Sequence, residues 1–170
     1  MNCVDATHIA PSAWGPAMWR FMHTFAYQLD EPTAMPHFSE IIQMLVRAMP
    51  CHMCRTHALD YIKRYRPPSS TREEAVLYVH RFHNAVNRRL HKPEYDLRRC
   101  ALKHARSSLA YRAAVVVRRL RRALPVRCPS VDHRTSTTVV LAYGDATRRT
   151  HELASSIALI EALSRDAAGI

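Results

Sequence analysis

The residues with the clearest chemical potential in this chain are two cysteines three positions apart, Cys51 and Cys54. Pro50 precedes them and a helical pattern follows, so the pair is predicted to lie on the first turn of a helix. Unpaired backbone N–H groups and the positive end of the helix dipole stabilise a thiolate there, which favours redox activity. The motif alone also fits half of a zinc site, or two inert buried thiols.

A second group of polar residues shares one face of a later predicted helix. That helix begins with a capping box, in which Thr71 is the N-cap and Glu74 follows three positions later. It runs to about residue 91, because Pro93 limits its extension. The polar residues on the shared face are His80, His83, Asn84, Asn87 and His91. This face is either solvated or hydrogen-bonds a polar ligand.

Helices are also predicted for the segments that must position these groups. The first covers residues 12–29, with Ser12 as its N-cap. The other predicted helices cover residues 36–48, 51–65, 94–104, 105–124 and 147–167, and residues 137–143 have the composition of a strand. The predicted apolar stripes of the first four helices comprise Trp14, Met18, Phe21, Met22, Phe25, Phe38, Ile41, Ile42, Leu45, Ala58, Leu59, Ile62, Tyr65, Val76, Val79, Phe82, Val86 and Leu90.

Length and composition predict one domain with an appended segment, since the chain has 170 residues of which 48% are hydrophobic. Glycine occurs only at positions 15, 144 and 169, which excludes a Gly-rich phosphate loop from most of the chain. Five cysteines are too few for a fold held together by disulfides. No apolar run has the pattern of a signal peptide or the length of a membrane span, so a soluble protein without a cleaved export signal is expected.

The net charge of +11 is concentrated in one segment, because residues 97–131 contain no aspartate or glutamate. One interpretation is a solvated helix face whose apolar stripe packs on the rest of the chain. The alternative is a docking surface for an acidic protein or for nucleic acid. The apolar stripe comprises Leu109, Ala113, Val116, Val117, Leu120 and Leu124.

Three motifs follow one another along the chain: Trp19-x-x-x-His23, Cys51-x-x-Cys54 and His83-Asn84-x-x-Asn87. Together with the stretches 19–24, 30–33, 50–54 and 83–93, they strongly resemble the FAD-linked sulfhydryl oxidases of the Erv/ALR family. The resemblance covers about residues 11–100. It implies an all-α fold, in which a four-helix bundle and a short fifth helix hold FAD.

The resemblance also implies the domain organisation and the site residues. The sulfhydryl oxidase domain would be residues 11–104, and residues 105–170 would form a basic, mainly helical C-terminal extension of unknown role. Cys51 and Cys54 are the expected catalytic residues, and no metal is expected. The expected cofactor-binding residues are Gly15, Trp19, His23, Tyr27, Cys54, His80, His83, Asn84, Val86, Asn87, Leu90, Lys92 and Tyr95.

The chemistry implied by the resemblance is thiol oxidation. A substrate thiolate attacks the disulfide of the pair at Cys51, Cys54 lies against the flavin, and the electrons pass to O2, giving H2O2. The expected partners are a thiol-containing protein substrate or redox partner, O2 and a second copy of the chain in a homodimer. The homodimer was expected to use the apolar surface of Met18, Met22, Phe38 and Met44. The expected location is host cytoplasm or virion for a viral protein, and the mitochondrial intermembrane space for a cellular one.

The sequence departs from the family pattern in four places. Pro16 stands where an arginine often follows the glycine, and a tryptophan expected past the fifth helix is absent. His80 and Leu97 occupy the positions of a structural disulfide found in cellular members. No second Cys-x-x-Cys pair is present, so the candidates for an electron shuttle are the single cysteines Cys3, Cys100 and Cys128.

A binding module is the alternative function from a different class. In it, Cys51, Cys54 and nearby histidines such as His80 and His83 hold zinc, while the Arg-rich segment contacts nucleic acid. The asparagines at 84 and 87 would then have no explanation, because amides are poor zinc ligands.

Overall fold

The computed structural model describes residues 10–29 and 35–123. These residues form no β-strand, and the predicted all-α fold is confirmed. The predicted strand at 137–143 and the predicted helix at 147–167 lie outside the described residues, as do Cys3 and Cys128. The helices are α1 (Pro11–Gln28), α2 (Phe38–Arg47, preceded by a 3₁₀ turn at Met35–His37), α3 (His52–Arg64), α4 (Arg72–Arg89), α5 (Leu97–His104) and α6 (Leu109–Ala123).

The first helix, α1, is the centre of the fold and packs against α4, α5 and α6. It starts one residue earlier than predicted, with Pro11 in its first turn and Ala10 as N-cap. The prediction of Ser12 as N-cap is wrong, because a proline at the first helical position needs no hydrogen-bonded N–H and already has a helical φ. All five residues of its predicted apolar stripe are buried.

The third helix, α3, begins directly after Cys51, which is its N-cap. Only a narrow apolar stripe of this helix is covered, since Ala58 and Ile62 are buried. Leu59 and Tyr65 are 37% and 53% exposed, so the prediction that they point into the core is wrong. Residues four positions apart share a helix face, so Ala58 and Ile62 mark the one face of α3 that is fully covered.

The fourth helix, α4, has the predicted cap: the Thr71 hydroxyl accepts a hydrogen bond from the Glu74 N–H at 3.2 Å. The helix ends at Arg89, two residues before the predicted end, and His91 takes a positive φ of 52°. Because Leu90 lies beyond the last turn, it is 45% exposed and does not extend the apolar stripe.

The last two described helices cover α1. Asp96 caps α5 by accepting a hydrogen bond from the Arg99 N–H at 2.8 Å. The buried residues of α6 belong to the same hydrophobic core as α1; they are Leu109, Ala113, Val116 and Leu120. The apolar stripe of the Arg-rich segment therefore packs within the chain, and the predicted division of the domains at residues 104 and 105 stays a prediction.

Two further observations bear on expectations from the sequence. Met18, Met22 and Phe38 are buried within this one chain, so they do not form the surplus apolar surface on which the homodimer was based. Among the helices of the described residues, none has both the length and the apolar character needed to cross a membrane.

Candidate functional site

A cavity of about 520 Å³ opens between α1, α3, α4 and α5. Its volume lies within the range of pockets that bind small molecules and cofactors. The cavity wall contains ten of the residues predicted to bind a cofactor: Gly15, Trp19, His23, Cys54, His83, Val86, Asn87, Leu90, Lys92 and Tyr95. The fold thus brings residues of all three sequence motifs to one cavity, although Gly15 and Lys92 are 77 positions apart in the chain.

Three residues of the predicted cofactor set do not line the cavity: Tyr27, His80 and Asn84. Asn84 is 4% exposed; its Oδ1 accepts a hydrogen bond from the Tyr95 N–H at 2.7 Å, and its Nδ2 donates to the Tyr95 carbonyl at 3.0 Å. His80 Nε2 donates to the same carbonyl at 2.7 Å. This pair of α4 side chains therefore holds the segment that carries Tyr95, whose ring lies in the cavity wall.

The polar face of α4 is accordingly engaged in hydrogen bonds over much of its length. Asn87 is 9% exposed, and its amide donates to Asn84 Oδ1 at 3.3 Å. The backbone carbonyl of Asn87 accepts a hydrogen bond from the Lys92 N–H at 2.9 Å, which turns the chain after α4. His91 is exposed and does not line the cavity. Most of this face is thus part of a built site, and only its end is solvated.

The two cysteines of the pair occupy different positions at the cavity. Cys54 lines the cavity and Cys51 does not, and both are free thiols that are half-buried. The backbone N–H of Cys54 donates to Cys51 Sγ at 3.2 Å, so the hydrogen-bonding capacity of the helix start is directed at Cys51. This geometry places Cys54 in the cavity wall and leaves Cys51 outside it, at the start of the helix.

Burial raises the pKa of the Cys54 thiol above its ordinary value, and the hydrogen bond and charge of Cys51 raise it further. The positive charge of Arg89 acts in the opposite direction. The expectation that the helix start stabilises a thiolate therefore does not hold for Cys54, because desolvation in the cavity wall outweighs the helix dipole. The Cys54 thiol, with its raised pKa, therefore keeps its proton at neutral pH.

Aromatic rings form the wall opposite the helix start. The rings of Trp19 and His83 are stacked, with centroids 4.2 Å apart and an interplanar angle of 8°. Phe82 packs edge-on against Trp19, at a centroid distance of 5.2 Å. His23 Nε2 lies 3.0 Å from His83 Nδ1, so a hydrogen bond joins α1 to α4 across the wall. A flat aromatic surface of this kind fits a planar ring system.

A second layer of polar groups stands behind His23. Cys100 Sγ, which is fully buried in α5, lies 3.1 Å from His23 Nδ1. The ring of His104, one helical turn further along α5, stacks on His23 with centroids 5.1 Å apart. His104 Nδ1 lies 3.4 Å from the Thr24 hydroxyl, and its Nε2 lies 3.3 Å from the Tyr95 hydroxyl. The network ties α5 to α1.

The histidines of this network are neutral at physiological pH. Burial lowers the pKa of His23 to about 2, and the neighbouring histidines lower it further. Burial likewise lowers the pKa of His83 and of His104 to about 4. Each ring therefore carries one donor and one acceptor nitrogen, which fits a hydrogen-bonding role and not that of a charged group.

The wall also holds residues that the sequence analysis missed. His104 lines the cavity, and so do several basic residues, whereas no aspartate or glutamate of the described residues does. A wall with only positive charges fits an anionic group such as a diphosphate. These basic residues are Arg20, Arg89, Lys92 and Lys103, of which only Lys92 was predicted. Helical spacing from Cys100 to His104 was the signal available for His104.

Tyr27 lies beside Cys100 and not in the cavity wall. Burial raises the pKa of Tyr27 to about 12, and the nearby Cys100 contributes to the increase. The tyrosine is thus a neighbour of the second layer. Its predicted contact with a cofactor stays a prediction.

Two observations test whether the wall fits a large cofactor. A Cβ atom placed on Gly15 would meet no atom of the chain within 4 Å, so the glycine is not required by internal packing and leaves room at the cavity wall. Trp14 also lines the cavity, and within the described residues its buried indole N–H has no hydrogen-bond partner. The indole N–H of Trp14 and the free space at Gly15 fit a cofactor that has ring systems and phosphates. The aromatic and basic surfaces of the wall fit the same kind of cofactor.

Metal binding has less support in this part of the chain. Among residues 10–29 and 35–123, no three His, Cys, Asp or Glu side chains are grouped so that they could hold a metal ion. His83, which the alternative function would use as a zinc ligand, instead stacks on Trp19 and pairs with His23.

The comparisons of this chain with a family model and with individual proteins agree on one family. A model described as the Erv1 / Alr family matches residues 16–106. The chain is 33% identical over 82 residues to a protein of African swine fever virus (isolate Tick/Malawi/Lil 20-1/1983) named FAD-linked sulfhydryl oxidase, which covers 46% of this chain and 69% of that protein. No solved structure shows a significant match.

Cellular relatives are similar over a comparable length. The chain is 32% identical over 85 residues to the FAD-linked sulfhydryl oxidase ERV2 of Saccharomyces cerevisiae, covering 48% of this chain and 43% of that protein. It is 32% identical over 88 residues to the FAD-linked sulfhydryl oxidase ERV1 of Oryza sativa subsp. japonica, covering 50% of this chain and 45% of that protein. Both matches span less than half of the cellular protein.

Proposed function

We propose that this chain, which belongs to the Erv1/Alr family, is an FAD-linked sulfhydryl oxidase that forms disulfide bonds in a thiol-containing protein substrate. The observation that carries the proposal is the placement of the cysteine pair. Cys54 lies in the wall of a cavity that suits a large cofactor, and Cys51 lies outside it. A redox pair that joins a cofactor site to the protein surface is what a thiol oxidase requires.

The residues that would hold FAD come from α1, α4, α5 and the turn after α4. The stacked rings of Trp19 and His83 offer a flat surface, and the basic side chains of Arg20, Lys92 and Lys103 offer partners for phosphate. When bound, FAD would accept two electrons from the reduced cysteine pair and pass them to O2, which gives H2O2.

The two cysteines divide the thiol chemistry between them. A substrate thiolate attacks Cys51 Sγ of the oxidised pair, so that a substrate–Cys51 disulfide forms as the Cys51–Cys54 bond breaks. The sulfur of Cys54 leaves and takes up a proton, which its raised pKa favours. A second substrate thiolate then attacks the mixed disulfide, which releases the substrate disulfide and leaves Cys51 as a thiolate beside the Cys54 N–H.

Assembly and location remain parts of the proposal. A homodimer is still proposed by resemblance, although Met18, Met22 and Phe38, three of the four residues expected at its interface, are buried within the chain. Sedimentation in reducing buffer tests it, and a monomer at micromolar concentration would contradict it. The relatives occur in viruses and in cellular organisms, so both locations considered above stay proposals.

The experiment that tests the proposed function uses the purified protein. We expect a yellow protein with flavin absorption bands, which consumes O2 when a reduced dithiol is added and releases one H2O2 for each disulfide formed. Metal analysis of the same sample is the control. A colourless protein that contains stoichiometric zinc would contradict the proposal and favour the zinc-binding alternative.

A further inference from the structure

The last two described helices and the turn between them carry six exposed arginines. Residues 97–123 contain no aspartate or glutamate, although Asp96 caps the start of α5. The exposed arginines of α5, α6 and the turn between them are Arg98, Arg99, Arg106, Arg118, Arg119 and Arg122. We refer to these six as the α5–α6 basic surface.

The packing of α6 makes this surface a fixed part of the fold. The face of α6 that bears Ala113, Val116 and Leu120 is buried against the core, in which α6 packs on α1. Arg118 and Arg119 lie on the same helix and are exposed. Because the apolar face is anchored, the arginines are held on a folded helix, and a ligand that binds them need not order a flexible tail.

The charges of this surface are not neutralised by ion pairs within the described residues. The ion pairs found there join His37 to Glu40, Arg72 to Glu73 and Arg88 to Glu94 (all on earlier elements). No acidic side chain of the described residues therefore offsets the charge of these six arginines in an ion pair.

One feature favours nucleic acid over an acidic protein as the ligand. Guanidinium groups bind phosphate and carboxylate alike in a bidentate manner, so the six arginines fit either ligand. The distinguishing feature is Tyr111, which lies on the same helix as Arg118 and Arg119 and is 60% exposed. Its ring lies 5.6 Å from the Arg112 guanidinium and can stack on an unpaired base. A helix of 15 residues is about 22 Å long, which is enough to follow several phosphates.

We propose that the α5–α6 basic surface binds nucleic acid through the phosphate backbone, without reading the base sequence. This binding is separate from thiol oxidation, because none of the six arginines lines the cavity. Since phosphate contacts release counterions, the affinity should fall steeply as salt is raised from about 50 mM to about 200 mM.

The test uses the full-length, flavin-loaded protein and a fluorescent oligonucleotide of about 20 nucleotides, single-stranded and as a duplex. The variant Arg118→Glu/Arg119→Glu should bind at least about tenfold more weakly at low salt, and its salt dependence should correspond to about two fewer phosphate contacts. The control Lys63→Glu/Arg64→Glu makes the same change of charge on exposed residues of α3. It should change the affinity less than about threefold.

Flavin absorbance and dithiol oxidation should be unchanged in both double variants, which shows that they are folded. The proposal would be overturned if the two variants lost equal affinity, since net charge alone would then explain binding. Binding that is insensitive to salt, or that differs strongly between two oligonucleotides of scrambled sequence, would also overturn it. So would tight binding of polyglutamate by a protein that binds neither oligonucleotide, because the surface would then serve an acidic protein.

Discussion

Two regions around α1 differ in the kind of contacts they make. In the core, Phe21 and Phe25 are buried and stacked on one another, and Phe25 also packs on Phe38 with ring centroids 5.9 Å apart. In the cavity wall, Trp19 stacks on His83 of α4. His23 hydrogen-bonds the same histidine and also contacts the sulfur of Cys100 in α5. The apolar region fixes the position of α1, while the polar region presents groups that can bind and react.

Within the cavity region, the cysteines differ in how their sulfur atoms are placed. Cys54 is half-buried in the cavity wall, and Cys51, also half-buried, lies one turn away and outside the wall. Cys100 is fully buried, and its sulfur is engaged with His23. A substrate thiol can reach only the first kind of site, so redox exchange is expected at the pair, and a structural role is expected for Cys100. Changes in the cavity region should therefore affect function first, and changes in the core should affect stability first.

The largest effect is expected at the cysteine pair. Cys51→Ser and Cys54→Ser should each lower O2 consumption with a dithiol by about 10³-fold or more, since serine forms no disulfide and each cysteine is needed for exchange. Thermal stability should change little in either variant. The control is Cys100→Ser, which should keep most of the activity; an equally complete loss there would show that the assignment of the two sulfur regions is wrong.

Truncation tests the apolar region. Removing all residues after 104 deletes α6 and uncovers the core, which loses the burial of Leu109, Val116 and Leu120 at about 1.5–3 kcal/mol each. That sum is comparable to the whole stability of a typical domain, so the truncated protein should fail to fold or lose flavin.

Truncation after residue 123 is the matched control, since it keeps all the described packing. Thermal melting and flavin content measure both proteins. If the shorter protein melts at the temperature of the longer one and retains its flavin, α6 is dispensable, and the division predicted at residues 104 and 105 would gain support.

An intermediate effect on function and stability is expected when polar residues of the cavity wall are replaced. His83→Ala or Asn87→Ala removes a group from the cavity wall, so flavin should be lost during purification. The melting temperature should also fall, because a ligand at 100 to 1,000 times its Kd contributes about 3–4 kcal/mol to the stability of the native state. His37→Ala, outside the cavity wall, is the control. Full flavin content and unchanged melting in both cavity variants would exclude this wall as the cofactor site.

A smaller effect is expected from pH. His23 has a pKa of about 2 in the folded state and about 6.5 when unfolded, so below pH 6.5 the unfolded chain binds the proton first. Stability should therefore fall with decreasing pH, by about 1.4 kcal/mol per pH unit for this histidine. His104, with a pKa of about 4, adds to the loss down to that pH. Urea unfolding between pH 7 and pH 5 should show a flatter pH dependence in His104→Gln; the same dependence as in the unchanged protein would refute the role of buried neutral histidines.

The sequence predicted the local features of this fold well. Capping residues and helical periodicity act over a few positions, so the cap at Thr71, the helix start at Cys51 and the buried stripe of α1 could be predicted. The exposure of Leu59 and Leu90 was not predicted. Periodicity identifies the apolar face of a helix, but it does not show how much of that face the neighbouring helices cover.

The missing parts of the site were those that depend on distant packing. His104 reaches the cavity because α5 packs on α1, and no local pattern reports that contact. Asn84 belongs to the predicted motif, but its hydrogen bonds to Tyr95 depend on where the chain turns after α4. The sequence predicted which polar residues share a face of α4. It did not predict which of them line the cavity and which hold the neighbouring segment in place.

The central claim is that Cys54 in the cavity wall is the sulfur that passes electrons to the bound cofactor. It is tested most directly by mixing the flavin-loaded protein with a dithiol in the absence of O2 and following the visible absorbance of the flavin. We predict that the flavin of the unchanged protein and of Cys100→Ser is bleached at similar rates, while that of Cys54→Ser stays oxidised. Bleaching of Cys54→Ser at the rate of the unchanged protein would contradict the account.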